Sequence, residues 1–278
     1  MKRMAAETQG VLHPDALDLE AYLGRIGYSG RLQPDPAVLE AIHLAHATHI
    51  PFENLDVLLK RPIRLDLASL QAKLVTGGRG GYCFEQNLLF SAMLQRLGFS
   101  VRQLAARVIY RSGRKLPRTH MLLLVDLEGA TWLADVGFGI EGLLLPLPFG
   151  GGRETRQFAW TYRVTEADGE WVLQSLRNGS WTNLYSFSLE PYLAVDFEPA
   201  NLYTATHPDS RFVRTLTAQL PTPEVRYMLR NRELILDRGG TITHRVLADD
   251  DELLAVLAET FGLRFPAGTR FGYRDDAS

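Results

Sequence analysis

The chain has 278 residues, of which 46% are hydrophobic, and a formal net charge of −2 at pH 7. This length and composition allow a large buried core and predict two or three domains. The near-neutral charge gives no electrostatic reason to expect nucleic acid or an anionic membrane as a partner. A single cysteine excludes an internal disulfide, and neither a leader-type apolar core nor a membrane-length apolar run is visible. We therefore expect a cytoplasmic protein.

Helical periodicity dominates the first hundred residues. It predicts helices over 18–27, from Pro36 to before Pro51, over 66–74, and from Cys83 to Gly98. Asp35 directly before Pro36 suits the start of the second helix, while Gly27 and Gly98 suit the ends of the first helix and of the helix after Cys83. The helix after Cys83 is expected to be amphipathic, with one apolar face.

From Val101 onward the pattern changes to strands separated by glycine-bearing turns. Strands are predicted over 101–110, 121–125, 131–137, 158–165, 171–176 and 181–187. The glycine-rich segment 146–154 suggests a flexible pocket rim. After Glu190 we expect a helical piece at 192–198, strands around 225–236 and 241–246, and a last helix over 250–261. The predicted division is helical (1–100), β (101–190) and a smaller α/β part (191–278).

Cys83 directly precedes one of the predicted helices, and a histidine and an acid follow on predicted strands, at His120 and Asp135. Unpaired amides at a helix N-terminus favour a thiolate over a thiol. A histidine can accept the thiol proton, and a carboxylate can hold the imidazole in the required tautomer. These residue types therefore suggest a nucleophilic triad.

The predicted hairpin gives this triad a geometry. If 126–129 is the loop, Val125 pairs with Ala130, and His120 lies opposite Asp135. Opposed residues hold their Cβ atoms about 4.5–5.5 Å apart. A shift of one residue would send the two side chains to opposite faces.

Each residue of the suggested triad could also have a purely structural role, since cysteine and histidine are common in protein cores. Asp135 lies in an apolar strand and is costly to bury without a partner. The three residues together are harder to explain by packing alone.

Other polar residues near the cysteine are predicted to support the structure. Arg79 and Glu53 suit a bidentate salt bridge that fixes the cysteine loop. The glycine-rich segment 77–81 is not a phosphate loop, because it does not end in a lysine followed by serine or threonine. His43, His46 and His49 point in different directions around a helix, so we predict no metal site.

The motif at 79–87 closely resembles the active-site signature of the arylamine N-acetyltransferases. Further similar segments follow in order at 22–28, 49–55, 118–121, 133–139 and 206–212. The resemblance implies an α+β fold with a helical bundle, a central antiparallel β-barrel, an α/β lid and a cysteine-protease-like (transglutaminase-like) core. It leaves the oligomeric state and the physiological acceptor open.

The resemblance also implies a reaction. Cys83 would be the nucleophile, His120 the base and Asp135 its orienting partner. A ping-pong reaction would move an acetyl group from acetyl-coenzyme A to an arylamine, arylhydrazine or hydrazine, without a metal. By position, the substrate or coenzyme A contacts would be Thr119, Phe138, Gly139 and His244.

Three alternatives remain at this stage. An amide synthase that closes a macrocycle, or a transglutaminase-like hydrolase, would use the same triad. A catalytically silent binding protein on the same scaffold would show no enhanced reactivity at Cys83.

Overall fold

Five helices form the first part of the structure, a computed structural model that describes residues 13–112 and 115–274. The helices are α1 (Leu19–Arg25), α2 (Pro36–His49), α3 (Leu55–Leu58), α4 (Leu67–Leu70) and α5 (Cys83–Arg96). A 3₁₀ turn at Pro14–Ala16 precedes α1, and a π-helical turn at Gln71–Thr76 extends α4. Within the described residues, no helix is long and apolar enough to cross a membrane.

Aspartate caps explain where the early helices begin. The Asp18, Asp35 and Asp66 carboxylates each accept a backbone N–H from three residues further on, at 2.9–3.0 Å. Such a bond satisfies one of the amides that a helix start leaves unpaired. The predicted start of α2 at Pro36 is confirmed.

Helix α5 is buried on every side rather than amphipathic. All residues from Cys83 to Leu94 are buried, including four polar ones, Glu85, Gln86, Asn87 and Ser91. The predicted single apolar face is therefore wrong, because the helix lies between the other helices and the sheet. Buried polar side chains require internal hydrogen-bond partners, and these partners organise the site described below.

Eight antiparallel strands form a nearly closed barrel in the order β5-β4-β3-β2-β9-β8-β7-β6. They are β2 (Ser100–Val108), β3 (His120–Leu127), β4 (Ala130–Ala134), β5 (Leu147–Pro148), β6 (Thr155–Gln157), β7 (Trp160–Ala167), β8 (Glu170–Arg177) and β9 (Ser180–Tyr192). The predicted α+β class with a central antiparallel barrel is confirmed.

A second antiparallel sheet has the order β1-β10-β11-β12-β13. Its strands are β1 (Phe52–Glu53), β10 (Thr217–Pro221), β11 (Arg226–Arg230), β12 (Glu233–Asp237) and β13 (Ile242–Val246). Two further helices, α6 (Glu198–Thr206) and α7 (Asp250–Phe261), belong to this part of the chain. Because β1 pairs with β10, the first and last parts of the chain share one sheet. The boundaries at 100 and 190 stay a prediction.

Several predicted boundaries differ from the structure. Phe158 lies in a turn at φ +55° between β6 and β7, not in a strand. The helical piece predicted at 192–198 is a 3₁₀ turn at Ala194–Phe197 that leads into α6. Strands β1 and β10 were not predicted; β1 has two residues, too few to show a period of two.

The cap of α2 provides a test of local stability. We expect Asp35→Ala to lower the free energy of unfolding by about 1 kcal/mol, because the Val38 amide loses its acceptor. Asp35→Asn keeps a side-chain oxygen and serves as the matched control. Urea unfolding of both variants checks this; equal stability of the two would contradict the cap assignment.

Candidate active site

Cys83 is the first residue of α5 and follows a glycine pair that allows close backbone packing. A Cβ atom on Gly80 would lie 2.0 Å from the Pro51 carbonyl oxygen, and one on Gly81 2.7 Å from a Glu85 carboxylate oxygen. A side chain at Gly80 would therefore require the Pro51 backbone to move, and one at Gly81 would require the Glu85 side chain to move. The two glycines therefore let the loop pack closely against Pro51 and against Glu85 of α5.

Ion pairs between partly buried cations and buried carboxylates fix the cysteine loop. The Arg79 Nε and Nη2 atoms both reach Glu53 Oε1, at 3.1 and 2.6 Å, while Glu53 Oε2 accepts the Leu55 N–H. Both guanidinium nitrogens thus bind the same carboxylate oxygen, whereas in the predicted bidentate salt bridge each nitrogen would bind its own oxygen. Asp56, which the sequence did not suggest, accepts from Arg79 at 3.3 Å and pairs with Lys73 at 3.0 Å. Lys73 also contacts Glu85 of α5 at 2.7 Å.

The structure brings together the three residues of the predicted triad. His120 Nε2 lies 2.7 Å from Asp135 Oδ2, and both side chains are buried. The Cys83 side chain lines the same cavity as the His120 ring and lies close enough to help raise the pKa of that ring. Its Sγ also lies 3.5 Å from the Thr119 carbonyl oxygen. Because Nε2 of the ring bonds Asp135, the other ring nitrogen, Nδ1, is the one that can face the thiol.

The hairpin that joins β3 and β4 has a different register from the predicted one. Leu127 pairs with Ala130, and Leu123 pairs with Ala134, so the turn is Glu128–Gly129, both at positive φ. Asp126, predicted to be in the loop, instead lies in the ladder and pairs with Arg102. The error is two residues, and an even shift leaves side chains on the same face. His120 and Asp135 are therefore diagonal neighbours that still meet.

Asp135 is held by several donors at once. Its Oδ1 accepts from the Asn87 Nδ2 atom at 3.0 Å and from the Gly137 N–H at 2.9 Å. Asn87 also donates to the Met121 carbonyl and accepts the Val136 N–H. Asn87 was not predicted as a site residue, although it lies one helical turn after Cys83 and so faces the same side of α5.

These contacts set the charge states of the pair. Burial alone would lower the pKa of His120, but the Asp135 charge and hydrogen bond, aided by Cys83, raise it to about 10. Burial alone would raise the pKa of Asp135, but His120, Asn87 and the Gly137 amide together lower it. With its pKa raised in this way, His120 is an imidazolium at neutral pH.

Cys83 opens into a cavity of about 630 Å³. Thr119, His120 and Phe138 line it, and the Phe138 ring meets the His120 ring edge-on at 5.1 Å. Further aromatic and cationic side chains of the lining are Phe52, Tyr110, Tyr203, Phe212, Arg111, Arg211 and Arg214. The segment predicted as a pocket rim, 146–154, contributes no residue to this cavity; its Phe149 packs on Trp171 instead.

Two predicted substrate contacts lie away from this cavity. Gly139, at φ +76°, packs against Phe52 and Gln219 and lines a separate small void of about 30 Å³. His244 is exposed on β13, where its Nδ1 pairs with Glu233 at 2.7 Å.

The histidines of α2 serve separate hydrogen bonds. His43 contacts Leu144 and Asp135, whereas His46 lies between the Tyr22 hydroxyl and the Gln86 side chain. In the part of the chain that the structure describes, no group of three His, Cys, Asp or Glu side chains could hold a metal ion.

Comparisons with known proteins agree with the geometry. Residues 35–269 match a family model described as N-acetyltransferase. An arylamine N-acetyltransferase of Mycolicibacterium smegmatis is 39% identical over 254 residues, with 89% of this chain and 92% of the relative covered. The structure of the Nocardia farcinica arylamine N-acetyltransferase superimposes with a TM-score of 0.88 at 37% identity, covering 94% of this chain and 95% of that chain.

A second similar structure contains CoA. The arylamine N-acetyltransferase of Mycobacterium marinum was solved in complex with CoA. It is 35% identical, with a TM-score of 0.85, and the match covers 88% of this chain and 93% of that chain.

The charge state of His120 leads to a chemical prediction. In Asp135→Asn the carboxylate charge is lost while the burial remains, so the pKa of His120 falls and the ring is neutral at pH 7. We expect iodoacetamide to alkylate Cys83 at least about tenfold more slowly at pH 7, because the thiolate loses its cationic partner.

Asp126→Asn, on the same hairpin but paired with exposed Arg102, is the matched control and should alkylate at the wild-type rate. Mass spectrometry over time measures both rates. A wild-type rate for a folded Asp135→Asn variant would show that Asp135 does not set the state of the thiol.

Proposed function

Because the chain belongs to the arylamine N-acetyltransferase family, we propose that it moves an acetyl group from acetyl-coenzyme A to an arylamine, arylhydrazine or hydrazine. The observation that carries this proposal is the position of Cys83 beside a buried, charged His120–Asp135 pair, at a cavity with aromatic walls. Cys83 would act as nucleophile, His120 as acid and base, and Asp135 as the residue that orients His120.

The first half-reaction would load the enzyme. The Cys83 thiolate attacks the thioester carbonyl, and the bond from that carbon to the coenzyme A sulfur breaks. Coenzyme A leaves as a thiol after it takes the proton from the His120 imidazolium. One thioester replaces another, so acetyl-Cys83 forms at little free-energy cost.

The second half-reaction would release the product. An arylamine is weakly basic and therefore neutral at pH 7, and its nitrogen attacks the acetyl carbon. The amine gives its proton to His120, and the Cys83 thiolate leaves to restore the imidazolium–thiolate pair. Asp135 stabilises the charged ring and keeps Nδ1 toward the reaction.

A backbone amide would stabilise the oxyanion of each tetrahedral intermediate. The Cys83 N–H occupies the first position of α5, where a helix provides no acceptor for it. We propose this N–H as one oxyanion donor, assisted by the positive end of the helix dipole.

The cavity suits both substrates. Phe138 and Phe212 offer aromatic surfaces to an arylamine, and Thr119 lies beside the thiol. Arg111 and Arg214 provide positive charge for the phosphates of coenzyme A, whose binding to the relative from Mycobacterium marinum supports this assignment. Gly139 and His244 stay predictions, since they lie outside the cavity.

We also propose that three successive parts of the chain have different roles in the reaction. The helical part (1–100) would carry Cys83, the barrel (101–190) would carry His120 and Asp135, and the last part (191–278) would act as a lid. Tyr203 and Phe212 support the lid assignment because they line the cavity. Arg226 adds a link, since its guanidinium binds the Ile140 and Gly142 carbonyls after the aspartate, at 3.0 and 2.8 Å.

An intact-mass measurement tests the proposed intermediate. Acetyl-coenzyme A alone should add a single acetyl group to the wild-type protein and none to Cys83→Ser. An arylamine such as 5-aminosalicylate should then remove the group and appear as the acetylated amine.

Two outcomes would overturn the proposal. An adduct that persists in Cys83→Ser would place the acetyl group elsewhere. No adduct, with a thiol that still alkylates quickly at neutral pH, would mean a reactive cysteine that uses another acyl donor, as in an amide synthase or a hydrolase.

A further inference from the structure

His43 connects the two ends of the segment that follows the triad aspartate. It lies on α2 and is fully buried. Its Nε2 accepts the backbone N–H of Asp135 at 3.1 Å, and its Nδ1 lies 2.9 Å from the Leu144 carbonyl oxygen. The segment between these contacts includes Phe138, which lines the cavity and touches His120.

The two contacts require one tautomer of the imidazole. A carbonyl oxygen can only accept, so Nδ1 must carry the hydrogen that reaches Leu144. The Asp135 N–H can only donate, so Nε2 must be unprotonated. Burial lowers the pKa of His43 to about 4, although Leu144 and Asp135 act in the opposite direction. The neutral ring that the geometry needs is therefore present at pH 7.

His46, one turn later on the same helix, shows that burial on this face does not by itself imply such a role. It is also fully buried, and the same Phe90 ring packs edge-on against both histidines. Yet His46 bonds the Tyr22 and Gln86 side chains, whereas His43 bonds the main chain of Asp135. The contact with Asp135 is what distinguishes His43.

We propose that His43 is a positioning residue that sets the main chain of Asp135 and thereby aims its carboxylate at His120. Asn87 and the Gly137 amide hold the carboxylate itself, and His43 holds the backbone from which that carboxylate extends. Without His43, the Asp135 amide would lie buried without an acceptor, and the backbone would move to recover one. This inference rests on the proposed triad but concerns a residue that does not touch the reacting atoms.

Three substitutions separate the two hydrogen bonds of His43. A glutamine amide reaches about as far as Nε2, so His43→Gln keeps an acceptor for Asp135. An asparagine amide reaches about as far as Nδ1, so His43→Asn keeps only the donor to Leu144. His43→Leu removes both bonds while it preserves the apolar contact with Phe90.

The readouts are the alkylation rate of Cys83 at pH 7 and the steady-state constants. We expect His43→Gln to stay within about threefold of the wild type in both the alkylation rate and kcat. His43→Asn and His43→Leu should lose about tenfold or more, with KM for acetyl-coenzyme A changed less than about twofold. A loss in kcat without a change in KM is the result expected when the triad is misaligned and the substrate cavity is intact.

Gln157→Leu is the matched control. Gln157 is equally buried and binds the Leu144 and Leu145 amides, so it holds the far end of the segment without touching Asp135. It should lower stability but leave the alkylation rate within about twofold. Urea unfolding of all variants identifies any that do not fold.

Two results would overturn the proposal. Equal rates for His43→Gln and His43→Asn would show that the bond to Asp135 is not the one that matters. An equal loss in Gln157→Leu would reduce the role of His43 to general support of the segment. The alkylation rate does not depend on the acyl donor, so these results are separable from a failure of the acetyl-transfer proposal, which the intact-mass measurement reports.

Discussion

The hydrogen-bonded pair of His120 and Asp135 is the contact on which the surrounding structure depends. An isolated buried carboxylate costs several kcal/mol, so Asp135 must be supplied with donors and an opposite charge. Asn87, the Gly137 amide and His120 supply them, and His43 holds the main chain behind the carboxylate. Each of these groups comes from a different element, so the charged pair constrains how the helices meet the barrel.

A second set of buried charges does the same for the nucleophile. Arg79 and Lys73 form ion pairs with Glu53, Asp56 and Glu85, and thereby hold the turn that places Cys83 at the start of α5. The two sets meet at α5, whose first residue is the cysteine and whose next turn carries Asn87. Helix α5 presents the thiol in its first turn and, one turn later on the same side, Asn87, which hydrogen-bonds the aspartate. These roles account for polar residues in a helix that is buried on all sides.

Local chemistry made part of this structure predictable from the sequence. Asp35 and Pro36 specify a helix start through bonds within one turn, and the cysteine motif indicated the triad. The predicted hairpin register was wrong. Residues 126–129 look like a loop in the sequence, which does not show that Asp126 pairs with Arg102 on the neighbouring strand. The sequence presents His43 only as a possible metal ligand, because the residues that it contacts, Asp135 and Leu144, lie far along the chain and only folding brings them together.

The central claim is that His120 is charged at neutral pH because Asp135 lies against it. An NMR titration of the His120 ring, assigned by comparison with a His120→Gln variant, tests this claim directly. We expect the wild-type ring to stay protonated from pH 6 to beyond pH 8 and to lose its proton only near pH 10, because its pKa is about 10. A ring that titrates near its ordinary pKa of about 6.5 would contradict the account.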